Sequence, residues 1–223
     1  MKRKTLVSWS SGKESAWVVH LLRRSADIDL AGLFCTVNSE FDRVAMHGVR
    51  VELLQRQAES LGLPLEIIEL PHPCDDGNYG EIMERFVRAA KKAGVECFAF
   101  GDLFLEDVRD YRVEKLAGTG ITPLFPLWGR ATDELSREMV RSGLRTVITC
   151  VDPKQAPAAW AGKEYDDPFL DGLPSTVDPC GERGEFHSFV FDGPMYKEKI
   201  EINVGDIVRR DGFVFADIVP YRA

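Results

Sequence analysis

The 223-residue sequence has no C-x-x-C pair and no strong basic excess, and no apolar run approaches the length of a membrane span. Each absence excludes a class. Five widely spaced cysteines, an odd number, form neither a zinc-ligand pattern nor a disulfide framework, and they predict reduced thiols in the cytoplasm. A membrane helix needs roughly 20 consecutive apolar residues. The basic start Met1-Lys2-Arg3-Lys4 is followed by an apolar run too short for a signal peptide. A net charge of −8 argues against a general nucleic-acid binder, which needs a basic face to neutralise phosphates. No Walker loop is present, because Val7 stands where the first glycine would be and Glu14 follows Lys13 in place of a hydroxyl residue. A G-x-G-x-x-G fingerprint is also missing. What remains is 44% hydrophobic and 29% charged, the composition of a globular chain long enough to bury a full core.

Apolar periodicity alternates between strand and helix over the first two thirds. Strands are predicted over 5–8, 30–37, 65–70 and 97–101, and helices over 14–24, 48–61, 80–94 and 112–117. A further helix over 130–142 and strand over 144–151 follow. The strands are nearly continuous apolar runs, as in a parallel sheet covered on both faces. Residues 153–185 read as loops with one short helix at most. The tail alternates with period two over 189–191 and 199–204. A strand over 214–218 is predicted to pair with the latter through a turn at Asp211-Gly212. The fold class is therefore α/β: a doubly wound, mainly parallel, Rossmann-like sheet over 1–125, then a smaller α+β domain over 126–223.

The most informative segment is Ser8-Trp9-Ser10-Ser11-Gly12-Lys13-Glu14-Ser15, set between the first strand and the first helix. A small-residue loop opening a helix is where an α/β protein holds phosphates, because the first-turn N–H groups are unpaired and the helix dipole is positive there. Ser10, Ser11 and Ser15 add hydroxyls, and Lys13 adds charge. In doubly wound sheets ligands sit beyond the carboxyl ends of strands where strand order reverses. The ends at 10–15, 37–39 and 101–102 are thus expected to face one crevice. Asp102, directly after a buried strand, is placed to meet a substrate or Mg²⁺. Most charges from Glu106 to Glu114 read as a solvated helix start. Pro123-Leu124-Phe125-Pro126-Leu127-Trp128 reads as a linker packed on the core.

The stretch Pro179-Cys180-Gly181-Glu182-Arg183-Gly184-Glu185-Phe186-His187-Ser188 is the second unusual motif. Its acids could accept protons or orient an amine. A catalytic thiol at Cys180 has no thiolate-stabilising neighbour apart from Arg183, and a metal site from Cys180, His187 and the acids matches no zinc spacing. His47 sits in a loop near the expected crevice. Cys35 and Cys97 read as inert core.

The order of these motifs resembles the diphthine–ammonia ligase (diphthamide synthetase) family of pyrophosphate-loop, adenine nucleotide alpha hydrolase-like ATPases. Its carriers are the loop over 10–15, Met46-His47, Gly101-Asp102-Leu103, the pair Arg112 and Glu114, Pro126-Leu127-Trp128, Gly181-Glu182-Arg183-Gly184-Glu185-Phe186, and Phe189-Val190-Phe191-Asp192-Gly193-Pro194. Ser11 stands where that family's loop has glycine, and Glu14 where it has aspartate. The resemblance implies an enzyme that uses ATP and Mg²⁺ to adenylate the carboxylate of diphthine, a modified histidine on an elongation factor. Ammonia then displaces AMP. It implies nucleotide contacts from Ser10, Ser11, Gly12, Lys13, Glu14, Ser15, Asn38 and Gly101, with adenine against the backbone over 34–38. Catalysis falls to Lys13, Asp102, Glu182 and Glu185, with Asp102 also toward Mg²⁺, and acceptor contacts fall to His47, Arg112, Glu114 and His187. A homodimer is one assembly it allows. An ATPase for RNA-base thiolation or amination, and a nucleotide sensor without turnover, stay open as alternatives.

Overall fold

The computed structural model describes residues 1–44 and 47–222. The elements run β1 (Arg3–Ser8), α1 (Lys13–Leu22), β2 (Ile28–Asn38), β3 (Arg43–Val44), α2 (Val51–Leu61), β4 (Leu65–Leu70), α3 (Asp76–Lys92), β5 (Cys97–Ala99), α4 (Glu106–Leu116) and β6 (Thr122–Leu124). There follow α5 (Thr132–Arg141), β7 (Arg145–Val151), α6 (Asp167–Asp171), β8 (Phe186–Asp192), β9 (Ile202–Arg210) and β10 (Phe213–Pro220).

Strands β4, β2, β1, β5 and β6 form a parallel sheet in that spatial order, and the short β3 runs antiparallel to the end of β2. From β1 the chain builds outward one way through β2 and β4, then the other way through β5 and β6. Strand order therefore reverses between β1 and β5, and their carboxyl ends open the crevice expected of a doubly wound fold. The second sheet, β8-β7-β10-β9, is antiparallel throughout. Its β9–β10 hairpin turns at Asp211 (φ 51°) and Gly212 (φ 85°), the two positive φ values that match strand twist.

Helix α1 is apolar on every side: Ala16, Trp17, Val18 and Val19 are all buried. Such a helix has to be covered all round. The largest core does this, joining Val7 and Leu33 of the parallel sheet, Trp17 of α1, Leu53 of α2, Leu135 of α5, and Phe189 and Ile218 of the antiparallel sheet. A second cluster, with Phe34, Phe98, Val87 and Ile121, packs α3 on the opposite face of the parallel sheet. The phosphate-loop candidate thus leads into a helix clamped between two sheets.

Several boundaries differ from the sequence reading. Helix α4 starts at Glu106 rather than at the predicted 112, so the charges read as a helix start are its first turns, with Glu106 and Asp107 at the positive end of the helix. Pro123, read within a linker, lies in edge strand β6, where proline is tolerated because one side of the strand needs no donor. Strand β9 extends to Arg210, well past the predicted 204.

Candidate functional site

Strand β1 ends at Ser8, and the Trp9 N–H still pairs with the Phe34 carbonyl at 2.7 Å. The chain then turns sharply. Ser11 takes φ +71°, a left-handed conformation favoured by glycine and costing a serine about 1 kcal/mol or more. Its hydroxyl is buried and has no hydrogen-bond partner, while its carbonyl accepts from Val190 N at 3.0 Å and Gln57 Nε2 at 3.0 Å. Ser11 is not among the residues that line the crevice, and its carbonyl is turned toward α2 and β8. Gly12 caps α1 with no side-chain bond, so the first-turn N–H groups rely on partners outside the helix; that of Lys13 meets Ser188 Oγ at 3.4 Å. Ser10 and Ser15 hydroxyls stand 3.1 Å apart, and Ser15 also donates to the Gly12 carbonyl at 3.0 Å.

Just past β5, Gly101 lets the chain approach the first turn of α1. A Cβ there would lie 2.9 Å from Glu14 Cβ, a distance no real side chain accepts. Between the two strand ends lies a cavity of about 260 Å³ lined by Ser8, Ser10, Lys13, Glu14 and Ser15 from the first strand end and helix, and by Phe100, Gly101, Asp102, Leu105 and Arg112 from the second. His47 closes one side. Cys180, Gly181, Glu182, Phe186, His187 and Ser188 close the other, from the antiparallel sheet and the turn before it. A broader depression of about 500 Å³ on the outer face of α5 is open and lined by one helix's surface charges, such as Arg137 and Glu138; it encloses nothing.

Electrostatics sort the residues. Asp102 is gripped by Arg112 in a two-point fork, Nε to Oδ2 at 2.6 Å and Nη2 to Oδ1 at 3.0 Å, and the guanidinium lies 4.4 Å from the Phe100 ring centroid. Lys13 is 1% exposed, and its ammonium reaches Glu14 Oε1 at 2.7 Å and the Cys180 carbonyl at 2.5 Å. It also lies 5.3 and 5.0 Å from the Tyr165 and Phe186 ring centroids. Burial disfavours its charge, but Glu14 and the other acidic groups around it outweigh burial, so its pKa rises and it stays protonated.

Glu182 is the anomalous acid. Burial raises its carboxyl to about 7; the Leu103 N–H at 2.8 Å pulls the other way, while Glu14 and Asp102 add to the rise. A carboxyl near neutral pH both takes and returns protons. The His47 and His187 rings lie against each other, centroids 4.6 Å apart and planes tilted by 37°. Burial first, then His187 and Lys13 nearby, hold His47 well below its ordinary value, and burial with Lys13 holds His187 at about 4, so both rings are neutral at pH 7. Burial pushes the Cys180 thiol up, which makes it a poor nucleophile.

Not every residue singled out in the sequence reaches this cavity. Asn38 lies four residues beyond the β2 position that pairs with Ser8, roughly 13 Å along the strand, and its Oδ1 accepts from the N–H groups of Glu40 and Phe41. Glu114 is exposed on α4. Glu185 is 2% exposed and accepts from Asp178 N and Arg183 N at 2.9 Å each, so it holds its own turn together. Gly12 approaches the cavity only through its neighbours. Met46 lies outside the described residues.

Sequence reasoning passed over Gln57, Tyr165 and Ser188. Gln57 carried a readable signal, because it interrupts the apolar stripe of Leu53, Leu54, Ala58 and Leu61 on α2. A polar residue there has to find partners inside the protein.

Comparison with known proteins agrees with this geometry. Residues 3–120 match the diphthamide synthase N-terminal domain, and residues 131–219 match the diphthamide synthase C-terminal domain. A Homo sapiens protein named diphthine–ammonia ligase is 27% identical over 201 residues, spanning 83% of this chain and 75% of that protein. A Bos taurus protein of the same name is 29% identical over 155 residues, 67% of this chain and 58% of its own length. A Danio rerio protein so named is 27% identical over 197 residues, 81% of this chain and 77% of its own length. With both domain matches in sequence order across nearly its whole length, the chain belongs to the diphthamide synthase family.

Proposed function

We propose that the chain is an ATP-dependent ligase that converts an acceptor carboxylate into an amide, with AMP and pyrophosphate as products. The observation that carries this reading is the cavity itself. It lies at the strand-order reversal, under the N-terminus of α1, and holds a carboxyl tuned to about 7. At about 260 Å³ it suits the phosphate tail of a nucleotide more than a whole one, with the base lying outside. The first-turn N–H groups and the Ser10 and Ser15 hydroxyls bind the terminal phosphates, and the buried Lys13 charge supports them at short range.

Magnesium is assigned here to the nucleotide. Both Asp102 oxygens are taken by Arg112, and among the described residues no three His, Cys, Asp or Glu side chains cluster for a metal. The donor set thus does not fit a resident Mg²⁺ at Asp102.

In the first step an acceptor carboxylate oxygen attacks the α-phosphorus. The bond to the bridging oxygen breaks, and pyrophosphate leaves with the electron pair, stabilised by the loop donors. In the second step ammonia attacks the acyl carbon and AMP departs. Ammonium has to lose a proton before it can attack, and Glu182 is the acceptor for that proton. The neutral His47–His187 pair adds ring surface without competing charge. The name shared by the relatives makes the diphthine carboxylate the first acceptor to test. Residues 1–125 supply the nucleotide side and 126–223 the acceptor side, and the free cysteines fit a cytoplasmic setting.

The test is incubation with MgATP, isotopically labelled ammonium and an elongation factor carrying diphthine. Label appearing in an amide on the factor supports the reading. Tight ATP binding with no amide formed on any carboxylate acceptor would favour a nucleotide sensor.

A further inference from the structure

Helix α2 places one amide directly behind the loop. Gln57 is 0% exposed, and its whole hydrogen-bonding head is engaged. Nε2 donates to the Ser11 carbonyl at 3.0 Å and to the Val190 carbonyl at 2.7 Å, and Oε1 accepts from the Trp9 indole Nε1 at 2.9 Å. Its partners belong to three different parts of the fold: the end of β1, the loop, and β8 of the other sheet. The Ser11 carbonyl has a second donor in Val190 N. This is also the residue held at φ +71° without the freedom of glycine.

We propose that Gln57 is the positioning residue of the phosphate loop. A serine leaves the left-handed region readily unless its neighbours fix it. If the peptide after Ser11 turned over, its carbonyl would leave the two donors behind it and aim a negative dipole toward the cavity. By binding that carbonyl from behind, Gln57 keeps oxygen out of the cavity and the following N–H groups directed into it. The same amide ties the loop to β8, so loop shape and sheet packing are set together. Serine at position 11 carries a strain that the clamp has to offset; glycine there would take the same backbone without that strain.

This inference rests on the reading of the loop as a nucleotide site, and the experiment separates the two. Calorimetry with Mg²⁺ and a non-hydrolysable ATP analogue is run on the wild-type chain, on Gln57→Leu and on Gln57→Glu, each with and without Ser11→Gly. Melting is recorded in parallel. Gln57→Leu should weaken analogue binding about tenfold or more. Gln57→Glu keeps the shape but sets a carboxylate against two carbonyl oxygens, and should do the same if the leucine variant fails to fold. Adding Ser11→Gly should restore most of the affinity while leaving the melting temperature depressed, because the buried Trp9 indole N–H is still unpaired and the Val190 carbonyl has still lost a donor. A residue that merely fills the core would show no such split. Wild-type affinity in either single variant, or a loss that glycine at position 11 does not repair, overturns the positioning role. A wild-type chain that fails to bind the analogue overturns the nucleotide reading itself.

Discussion

Glu182→Gln tests the chemistry through an effect on stability. The Glu182 carboxyl rises from the ordinary 4.5 to about 7, chiefly because burial opposes its charge. At about 1.4 kcal/mol per pH unit, that gap is on the order of 3 kcal/mol between the protonated and ionised folded forms. The side chain keeps part of its surface in solvent, which reduces the net figure to about 1–2 kcal/mol. The sign follows from linkage. A carboxyl raised in the folded state contributes its stability in full below pH 4.5 and loses it as the pH climbs through about 7. Glutamine cannot ionise, yet its side-chain oxygen still accepts from Leu103 N. The variant should therefore melt with the wild type near pH 4.5 and above it at pH 8.5, by about 2–8 °C for a chain of this size. The same change removes the proton acceptor and should lower the rate of amide formation by about 10²–10⁴. Thermal melts across pH, with product assays on the same samples, read both quantities. Equal melting at every pH would refute the raised carboxyl, and an undiminished rate would refute its role.

Three further outcomes are expected. Lys13→Met should destabilise the nucleotide-free chain by about 3 kcal/mol, because it leaves Glu14 and the Cys180 carbonyl without their buried partner; unchanged melting without ATP would mean that the lysine serves phosphate alone. Ser11→Gly should stabilise the chain by about 1 kcal/mol, since it relieves a positive φ and removes an unsatisfied buried hydroxyl; denaturant unfolding showing a loss would contradict this. His187, depressed to about 4, contributes stability that is present above pH 6.5 and is lost as the pH falls toward 4. His187→Gln should accordingly flatten the acid limb of the melting profile, and an unaltered limb would assign that limb to other groups.

The sequence carried the architecture well where physics is local. Continuous apolar strands, spaced helix stripes and the Asp211-Gly212 turn all gave readable signals, and the strand-order reversal put the loop and Asp102 on one cavity. The family assignment held for the same reason, since it rested on motifs in order along the chain. What stayed hidden was side-chain commitment. No spacing rule tells that Arg112 occupies both oxygens of Asp102, that Glu185 is spent on its own turn, or that Asn38 overshoots the crevice because β2 outruns β1. Nor does a linear reading show that Lys13 points into an aromatic-lined cage closed by a carbonyl 167 residues away. These are contacts between distant segments, fixed only once the two sheets pack on α1.

The account stands on where ATP is cut. ATP labelled at the α-phosphate, given to the chain with Mg²⁺, ammonium and a diphthine-bearing factor, should yield labelled AMP in step with amide formed. Labelled ADP in its place would put the attack at the γ-phosphorus and contradict an adenylating ligase.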